Sequence, residues 1–215
     1  MTFLITAGPT REAIDPVRYI SNRSSGKMGY AIAEAALDAG HDVILISGPV
    51  NLAPPSDAKF ISVSTSDEMF DAVDQHADSS DICVLCAAVA DYKPAQVSPV
   101  KIKKCAAQVS LELIPTHDIL QSLGRQGARK FLLVGFAAET DNLEANAAKK
   151  LREKNCDIIV ANDARIAMET DENEFLILFR NGETKKISRS SKTNLARELV
   201  KIFQNSQQKS LTKKM

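Results

Sequence analysis

The sequence predicts an α/β fold: a Rossmann-like, mostly parallel sheet with helices on both faces and an appended β-hairpin. Two observations carry this expectation. Six apolar runs of strand length recur along the chain and are nearly all hydrophobic rather than alternating, as strands buried on both faces require. Between them lie stretches of helix formers whose apolar positions repeat at helical spacing.

In order, "TFLITA" at 2–7 is the first strand, and "GKMGYAIAEAALDA" at 26–39 is the first helix, stopped by Gly40. "DVILIS" at 42–47 and "KFISVS" at 59–64 follow as strands. A helix starts near Ser66, where Ser-Asp-Glu-Met offers a cap and first-turn acids. "DICVLCAAV" at 81–89 is the fourth strand, "KFLLVGFAA" at 130–138 the fifth and "DIIVAN" at 157–162 the sixth, with an Ala- and Lys-rich helix at 143–154 joining the last two. Residues 93–107, "KPAQVSPVKIKKCAA", show two prolines, four lysines and little helical periodicity, and read as a mobile flap. "EFLILFRNGETKKIS" at 174–188 reads as a hairpin turning at Asn181-Gly182, suited to completing a sheet edge or making a subunit contact. The last helix spans 192–203, giving one domain over 1–205 and a polar, frayed tail over 206–215.

Across 215 residues, 27 Lys plus Arg balance 27 Asp plus Glu, so no global field favours nucleic acid or a membrane, and any anion site must be local. No run of about 18 apolar residues occurs, and residues 2–7 are too short, and lack the basic leader, for a signal sequence. With only four cysteines, at 83, 86, 105 and 156, a cytoplasmic protein is expected. Cys83 and Cys86 form a C-x-x-C within a strand, where an offset of three sends the side chains to opposite faces. They read as core thiols rather than a redox or metal pair.

Sheets of this kind bind ligands at the carboxyl ends of their strands. Three unusual segments lie at that rim: "ITAGPTREAIDPVRYISNRSSGKMG" at 5–29, "AAVADYKP" at 87–94 and "GFAAETDN" at 135–142. A dinucleotide site is disfavoured, because no G-x-G-x-x-G follows the first strand and Ser47-Gly48 end the second where an acidic ribose ligand is wanted. The Walker pattern fails at Ser21 and Met28. Even so, Ser24, Ser25, Gly26 and Gly29 lie where the first helix begins, and N–H groups there hold phosphate. Arg18, Asn22, Arg23, Ser24 and Ser25 are donors with no nucleophile among them, which suits an acyl or phosphate oxygen better than acid–base chemistry. A purely structural loop of turns is the alternative. Arg18, Asn22, Ser24, Ser25 and Gly26 form the candidate substrate-binding group.

Lys101, Lys103 and Lys104 on the flap, and Lys149, Lys150 and Lys154 on the helix after the fifth strand, read as two groups facing one rim. Together they suit a triphosphate with Mg²⁺, where each alone would be a solvated surface. Asp91 is placed to receive a sugar hydroxyl or help hold the metal, or is simply a turn aspartate. Histidines 41, 76 and 117 are scattered, so a tightly held zinc is not expected, and no G-x-S-x-G supports a serine hydrolase.

In this order and at these spacings, the 5–29 motif, "CAAVADYKP", "KIKK" at 101–104, "GFAAET" and "IVANDA" at 159–164 closely resemble phosphopantothenate–cysteine ligase, over roughly residues 2–205. The resemblance implies a Rossmann-like homodimer using CTP in most bacterial members and ATP in eukaryotic ones. It implies that the carboxylate of 4'-phosphopantothenate attacks the α-phosphate, pyrophosphate leaves, and the L-cysteine amine displaces the nucleotide. A decarboxylase half, common in bacterial members, is not part of this sequence, so a stand-alone form needing no flavin is expected. By motif, Asn22 holds the acyl-nucleotide oxygen, Ala87, Ala88 and Asp91 meet the nucleotide, and Lys101 meets the phosphates. Asn22 and Lys101 are thus the catalytic candidates. His117, Asp118, Ile119 and Leu120 match a base-contacting stretch that more often reads Asn-Pro-Asp-Ile-Leu. Phe136 lines the base pocket, and Lys150 and Lys154 complete the nucleotide site. No metal ligand is specified. A non-catalytic nucleotide-binding or dehydrogenase-like module would share the fold but leave the lysine groups unexplained.

Overall fold

The computed structural model describes residues 1–104, 108–127, 129–163, 165 and 172–214, with side chains as far as Lys209. The chain runs β1 (Thr2–Ala7), β2 (Arg11–Ala13), β3 (Tyr19–Ser21), α1 (Lys27–Asp38), β4 (Asp42–Ser47), β5 (Lys59–Ser62), α2 (Ser66–Ala77), β6 (Ile82–Leu85), β7 (Tyr92–Pro94), β8 (Leu113–Pro115), α3 (Ile119–Arg125), β9 (Leu132–Glu139), α4 (Leu143–Glu153) and β10 (Ile158–Asp163). The hairpin strands β11 (Glu172–Phe179) and β12 (Thr184–Ser191) and the helix α5 (Lys192–Lys214) complete it.

Eight strands form one sheet in the order β12-β11-β10-β9-β6-β1-β4-β5. Strands β5 to β10 in that order are parallel, and β11 and β12 are antiparallel. The sheet therefore grows outward from β1 in one direction through β4 and β5, then in the other through β6, β9 and β10. This is the doubly wound arrangement, whose reversal opens a crevice between β1 and β6. Successive residues alternate faces, so Phe3, Ile5, Val84, Val160 and Phe175 pack under α1 and α5, while Leu4, Cys83, Leu133 and Ile159 pack under α2, α3 and α4. Contact between α1 and β1 is close enough that a Cβ on Gly29 would sit 2.6 Å from the Ala7 Cβ.

Several expectations are corrected. The long connection after β1 folds in part as an antiparallel pair, β2 with β3. The flap region opens on β7, which pairs antiparallel with β8, so the flap is a loop closed at its base, with residues 105–107 and hence Cys105 outside the described residues. The third strand ends at Ser62 and the fourth at Leu85, where the chain turns away to line the crevice. Thr65, not Ser66, caps α2: its hydroxyl accepts from Glu68 N, and the Glu68 carboxylate accepts from Thr65 N in return.

The polar tail is helical, since α5 continues to Lys214. Its buried stripe runs Leu199, Phe203, Gln207, and the Gln207 amide donates to the Lys130 carbonyl at 3.2 Å, so the helix stays docked past the expected end. Cys83 and Cys86 do face opposite sides of the sheet, and both are free thiols. Burial pushes the Cys86 and Cys156 thiols up to about 12. Among the described residues, no helix is long and apolar enough to cross a membrane.

Candidate functional site

A cleft of about 950 Å³ follows the carboxyl edge of the sheet, with Thr6 of β1 and Leu85 of β6 at its floor. Short polar residues tie the two crevice loops together. Ala88 N donates to Gly8 O at 2.9 Å, and the hydroxyls of Thr6 and Thr10 accept from Ala87 N (3.2 Å) and Ala90 N (3.0 Å). Asn22 completes the tie: its carboxamide nitrogen donates to Ala88 O at 3.2 Å and Val89 O at 2.9 Å. Both donors are thereby engaged, leaving Oδ1 as an acceptor. Sequence reasoning cast Asn22 as a donor to ligand.

Arg23, Ser24, Ser25 and Gly26 form the cleft wall at the start of α1. Gly26 caps that helix in the left-handed region (φ +74°) without a side-chain cap, so the first-turn N–H groups of a 12-residue helix face the cleft. Glycine is required twice over, because a Cβ here would also lie 2.8 Å from the Val50 Cγ1.

Thr116, His117 and Asp118 lead into α3 on the opposite wall. One Asp118 oxygen accepts from Gln121 N at 2.8 Å, capping α3, and the other takes Lys154 Nζ at 2.5 Å. Burial pushes the Asp118 carboxyl up, but the Lys154 and Gln121 hydrogen bonds and the Lys154 and Lys150 charges outweigh it and leave it below its ordinary value. Lys150 donates to the Phe136 carbonyl at 2.8 Å. The His117 ring lies 4.9 Å from that of Phe70, with Nδ1 3.3 Å from the Asp67 carboxylate. Asp67 in turn pairs with Lys93, whose hydrogen bond holds it below its ordinary value.

The cleft has two lobes, one on each face of the sheet edge. His117, Asp118, Lys150 and Lys154 occupy the α3/α4 side. Across the edge, Cys86, Phe136 and Phe175 pack under α1 and α5, with the two phenyl rings edge to face at 6.1 Å. Asp91, Ala87 and Ala88 lie between, and Ile119 and Leu120 back the first lobe.

Two expected residues stand elsewhere. Arg18 and Lys101 line a separate cavity of about 860 Å³ with Ile14, Lys103, Lys104 and Leu111. There Arg18 is engaged by the buried Asp15 carboxylate and donates to Ile102 O at 2.9 Å. Lys149 lies outside the cleft, 4.0 Å from Glu153. The two lysine groups therefore do not share one wall: of their members, Lys150 and Lys154 alone line the cleft. Sequence reasoning missed Asn162, Asn173 and Lys192, which also line it. Strand parity would have placed Asn162 on the Phe136 face. Asn173 lay just before the expected hairpin and so went unread. Among the described residues, no three His, Cys, Asp or Glu side chains gather to hold a metal.

A doubly wound sheet with an uncapped helix N-terminus and paired lysines at its switch point defines a Rossmann-like protein fitted to an anionic ligand. The chain belongs to the family of the DNA/pantothenate metabolism flavoprotein C-terminal domain, whose profile matches residues 1–206. It is 47% identical over 209 residues to the coenzyme A biosynthesis bifunctional protein CoaBC of Haemophilus influenzae, covering 96% of this chain and 52% of that protein. The chain thus spans about half the length of the curated relatives it matches. A crystal structure of a CoaBC C-terminal domain superposes with TM-score 0.82 at 44% identity, covering 97% of this chain and 95% of that one. A Cab2 variant in complex with phosphopantothenate-cysteine superposes with TM-score 0.83 at 18% identity, covering 99% of this chain and 88% of that one, a likeness of fold alone.

Proposed function

We propose that this chain joins 4'-phosphopantothenate to L-cysteine through an acyl-nucleotide intermediate, with CTP as the preferred triphosphate, in coenzyme A biosynthesis. The observation carrying this reading is the convergence, in one cleft, of residues 22–29 of the first motif and of Cys86, Ala87, Ala88, Val89 and Asp91 with Lys150 and Lys154, in a chain akin to CoaBC. A carboxylate becomes an acyl donor only after its oxygen joins a phosphate leaving group. In the first step a substrate carboxylate oxygen bonds the α-phosphorus as the bond to pyrophosphate breaks. In the second, the cysteine nitrogen bonds the acyl carbon, the acyl–oxygen bond breaks, and the amine proton and nucleotide monophosphate depart.

The chain's own work is charge neutralisation and alignment. Lys150 and Lys154 meet the phosphates, Asp91 receives a ribose hydroxyl, and the open turn of Ser24, Ser25 and Gly26 takes the anionic end of the acyl substrate. Asn22 fixes the 88–89 turn between the lobes. A magnesium ion, which offsets triphosphate charge, would draw its ligands chiefly from phosphate oxygens and water, since the cleft offers Asp91 but no preformed cage among the described residues. Lys101 reaches the phosphates only if its loop closes from the second cavity, which nucleotide-dependent protection of that loop from protease would report. Exposed Val17, Tyr19, Tyr92, Val100, Leu113 and Ile114 lie around β2–β3 and β7–β8 and support a homodimer contact there, beside the β11–β12 hairpin as the other candidate surface. A cytoplasmic location goes with this role.

The test is to supply Mg²⁺, CTP or ATP, and 4'-phosphopantothenate, then cysteine. Pyrophosphate release should require phosphopantothenate, and amide product should require cysteine. Release that ignores phosphopantothenate would exclude the reading, and binding of the triphosphate with no release at all would leave a module that merely binds nucleotide.

A further inference from the structure

We infer that Asp67, together with Phe70, is a positioning pair for the triphosphate site: from α2, outside the cleft, it clamps the His117 ring and so fixes the 115–118 segment that carries Asp118 to the cleft. This inference rests on the proposed ligase function and on the assignment of Lys150 and Lys154 to the triphosphate. Residues 111–118 include no buried residue, yet Pro115, Thr116, His117 and Asp118 form one wall of the cleft. Core packing therefore does not hold this wall. Two sets of surface contacts do. Thr116 N donates to Asp91 O at 3.0 Å, and the Thr116 hydroxyl donates to Ala90 O at 2.6 Å. The second set comes from α2, where the Phe70 ring lies 4.9 Å from the His117 ring and an Asp67 oxygen lies 3.3 Å from its Nδ1.

Asp67 and Phe70 are three residues apart, so one face of α2 presents both to the same ring. A carboxylate can only accept, which puts a proton on His117 Nδ1 and fixes how the ring is turned. Asp67 also pairs with Lys93 of β7, two residues after Asp91. One carboxylate thus braces both segments whose acids, Asp91 and Asp118, line the cleft, while Asp67, Phe70 and Lys93 stand outside it. The platform beneath is firm: Met69 and Val73 are fully buried, the Thr65 and Glu68 capping box closes the first turn, and Ser66 N donates to the buried Glu12 carboxylate at 2.8 Å. Asp118 in turn takes Lys154 at 2.5 Å, so a shift of this wall displaces a lysine assigned to the phosphates.

The experiment measures the Kd of CTP with Mg²⁺ by calorimetry, and KM for CTP, 4'-phosphopantothenate and cysteine, in wild type, Asp67→Ala, His117→Ala, their double variant and Glu68→Ala. Because the contacts are partly exposed, Asp67→Ala should raise Kd and KM for CTP roughly 3- to 10-fold, with kcat and the other two KM values within about twofold. The double variant should fall short of the product of the single effects, because Asp67 acts through His117. Glu68→Ala removes the capping box from the same helical turn and leaves the Lys93 and His117 contacts in place. It should lower the melting temperature without weakening CTP binding, which separates positioning from helix stability. An unchanged CTP affinity in Asp67→Ala, an equal loss in Glu68→Ala, a loss shared by all three substrates, or fully multiplicative effects of Asp67→Ala and His117→Ala would each overturn the inference. A wild type that binds CTP but makes no product would sink the ligase reading alone, and one that binds no CTP would sink both.

Discussion

Replacing Asn22 by aspartate exchanges the group that ties the two crevice loops for one that repels them. In the native protein one nitrogen serves two carbonyls, at 3.2 Å and 2.9 Å. A carboxylate oxygen at the same place has no proton to offer either. Losing two bonds worth about 0.5–1.5 kcal/mol each removes roughly 1–3 kcal/mol from the aligned state of the 87–91 turn. If alignment of that turn is what the chemical step requires, the same energy corresponds to turnover slowed about 5- to 150-fold. Global stability should move less, because Asn22 is solvent-exposed and belongs to neither core. The assay is rapid-quench measurement of pyrophosphate, acyl-nucleotide and amide product, alongside a melting curve. The deficit should narrow at lower pH, where a protonated carboxyl regains one donor. Wild-type rates in a normally folded Asn22→Asp protein would refute the view that this amide aligns the site.

Other outcomes follow from the same geometry. Lys150→Met and Lys154→Met should each raise KM for the triphosphate roughly 10- to 100-fold, the scale of a lost charged hydrogen bond, with little change for cysteine. Equal effects on all substrates would argue for general disruption. Gly29→Ala drives a methyl against Ala7 at 2.6 Å and should destabilise by about 1–3 kcal/mol, read as a lower urea midpoint at constant slope. Asp15, held well below its ordinary value chiefly by Arg18, and Asp67, held down chiefly by Lys93, contribute stability that is present above the ordinary carboxylate value of 3.8 and lost as pH falls below it. Urea midpoints should therefore decline between about pH 5 and pH 2, less steeply in Asp15→Asn. In native protein near pH 8, the buried Cys83 and Cys156 should resist alkylation, and Cys86, half-buried in the cleft wall with its thiol raised by desolvation, should react more slowly than a free thiol. Rapid labelling of Cys86 would show the inner lobe to be open.

The six parallel strands were legible because burial on both faces writes itself as unbroken apolar runs such as "TFLITA" and "DVILIS", and that pattern also located the binding edge. Elements of three residues were not legible. β2, β3, β7 and β8 are partly exposed and too short to show a period, β2 pairing with β3 across a local turn and β7 with β8 across a longer loop. The end of α5 was hidden because Gln207 is polar, and its burial depends on meeting the Lys130 carbonyl from another part of the chain. Around the cleft, Lys150 and Lys154 could be paired from helical spacing alone. Lys101 could not be placed, since nothing local fixes which way a loop between β7 and β8 turns. Asn162 looked like the close of a strand, and only the fold brings that strand end to the cleft.

The hairpin joined to β10 also governs how far the sheet extends. Parallel strands as apolar as β9 and β10 would make a sticky template for strand addition if either lay at the margin. Instead the margin is β12, whose exposed Lys185, Lys186 and Arg189 disfavour pairing with another chain, and the opposite margin is the four-residue β5, opening on Lys59. Growth of the sheet is thus blocked at both ends, and polymerisation by edge-to-edge pairing has no ready starting point.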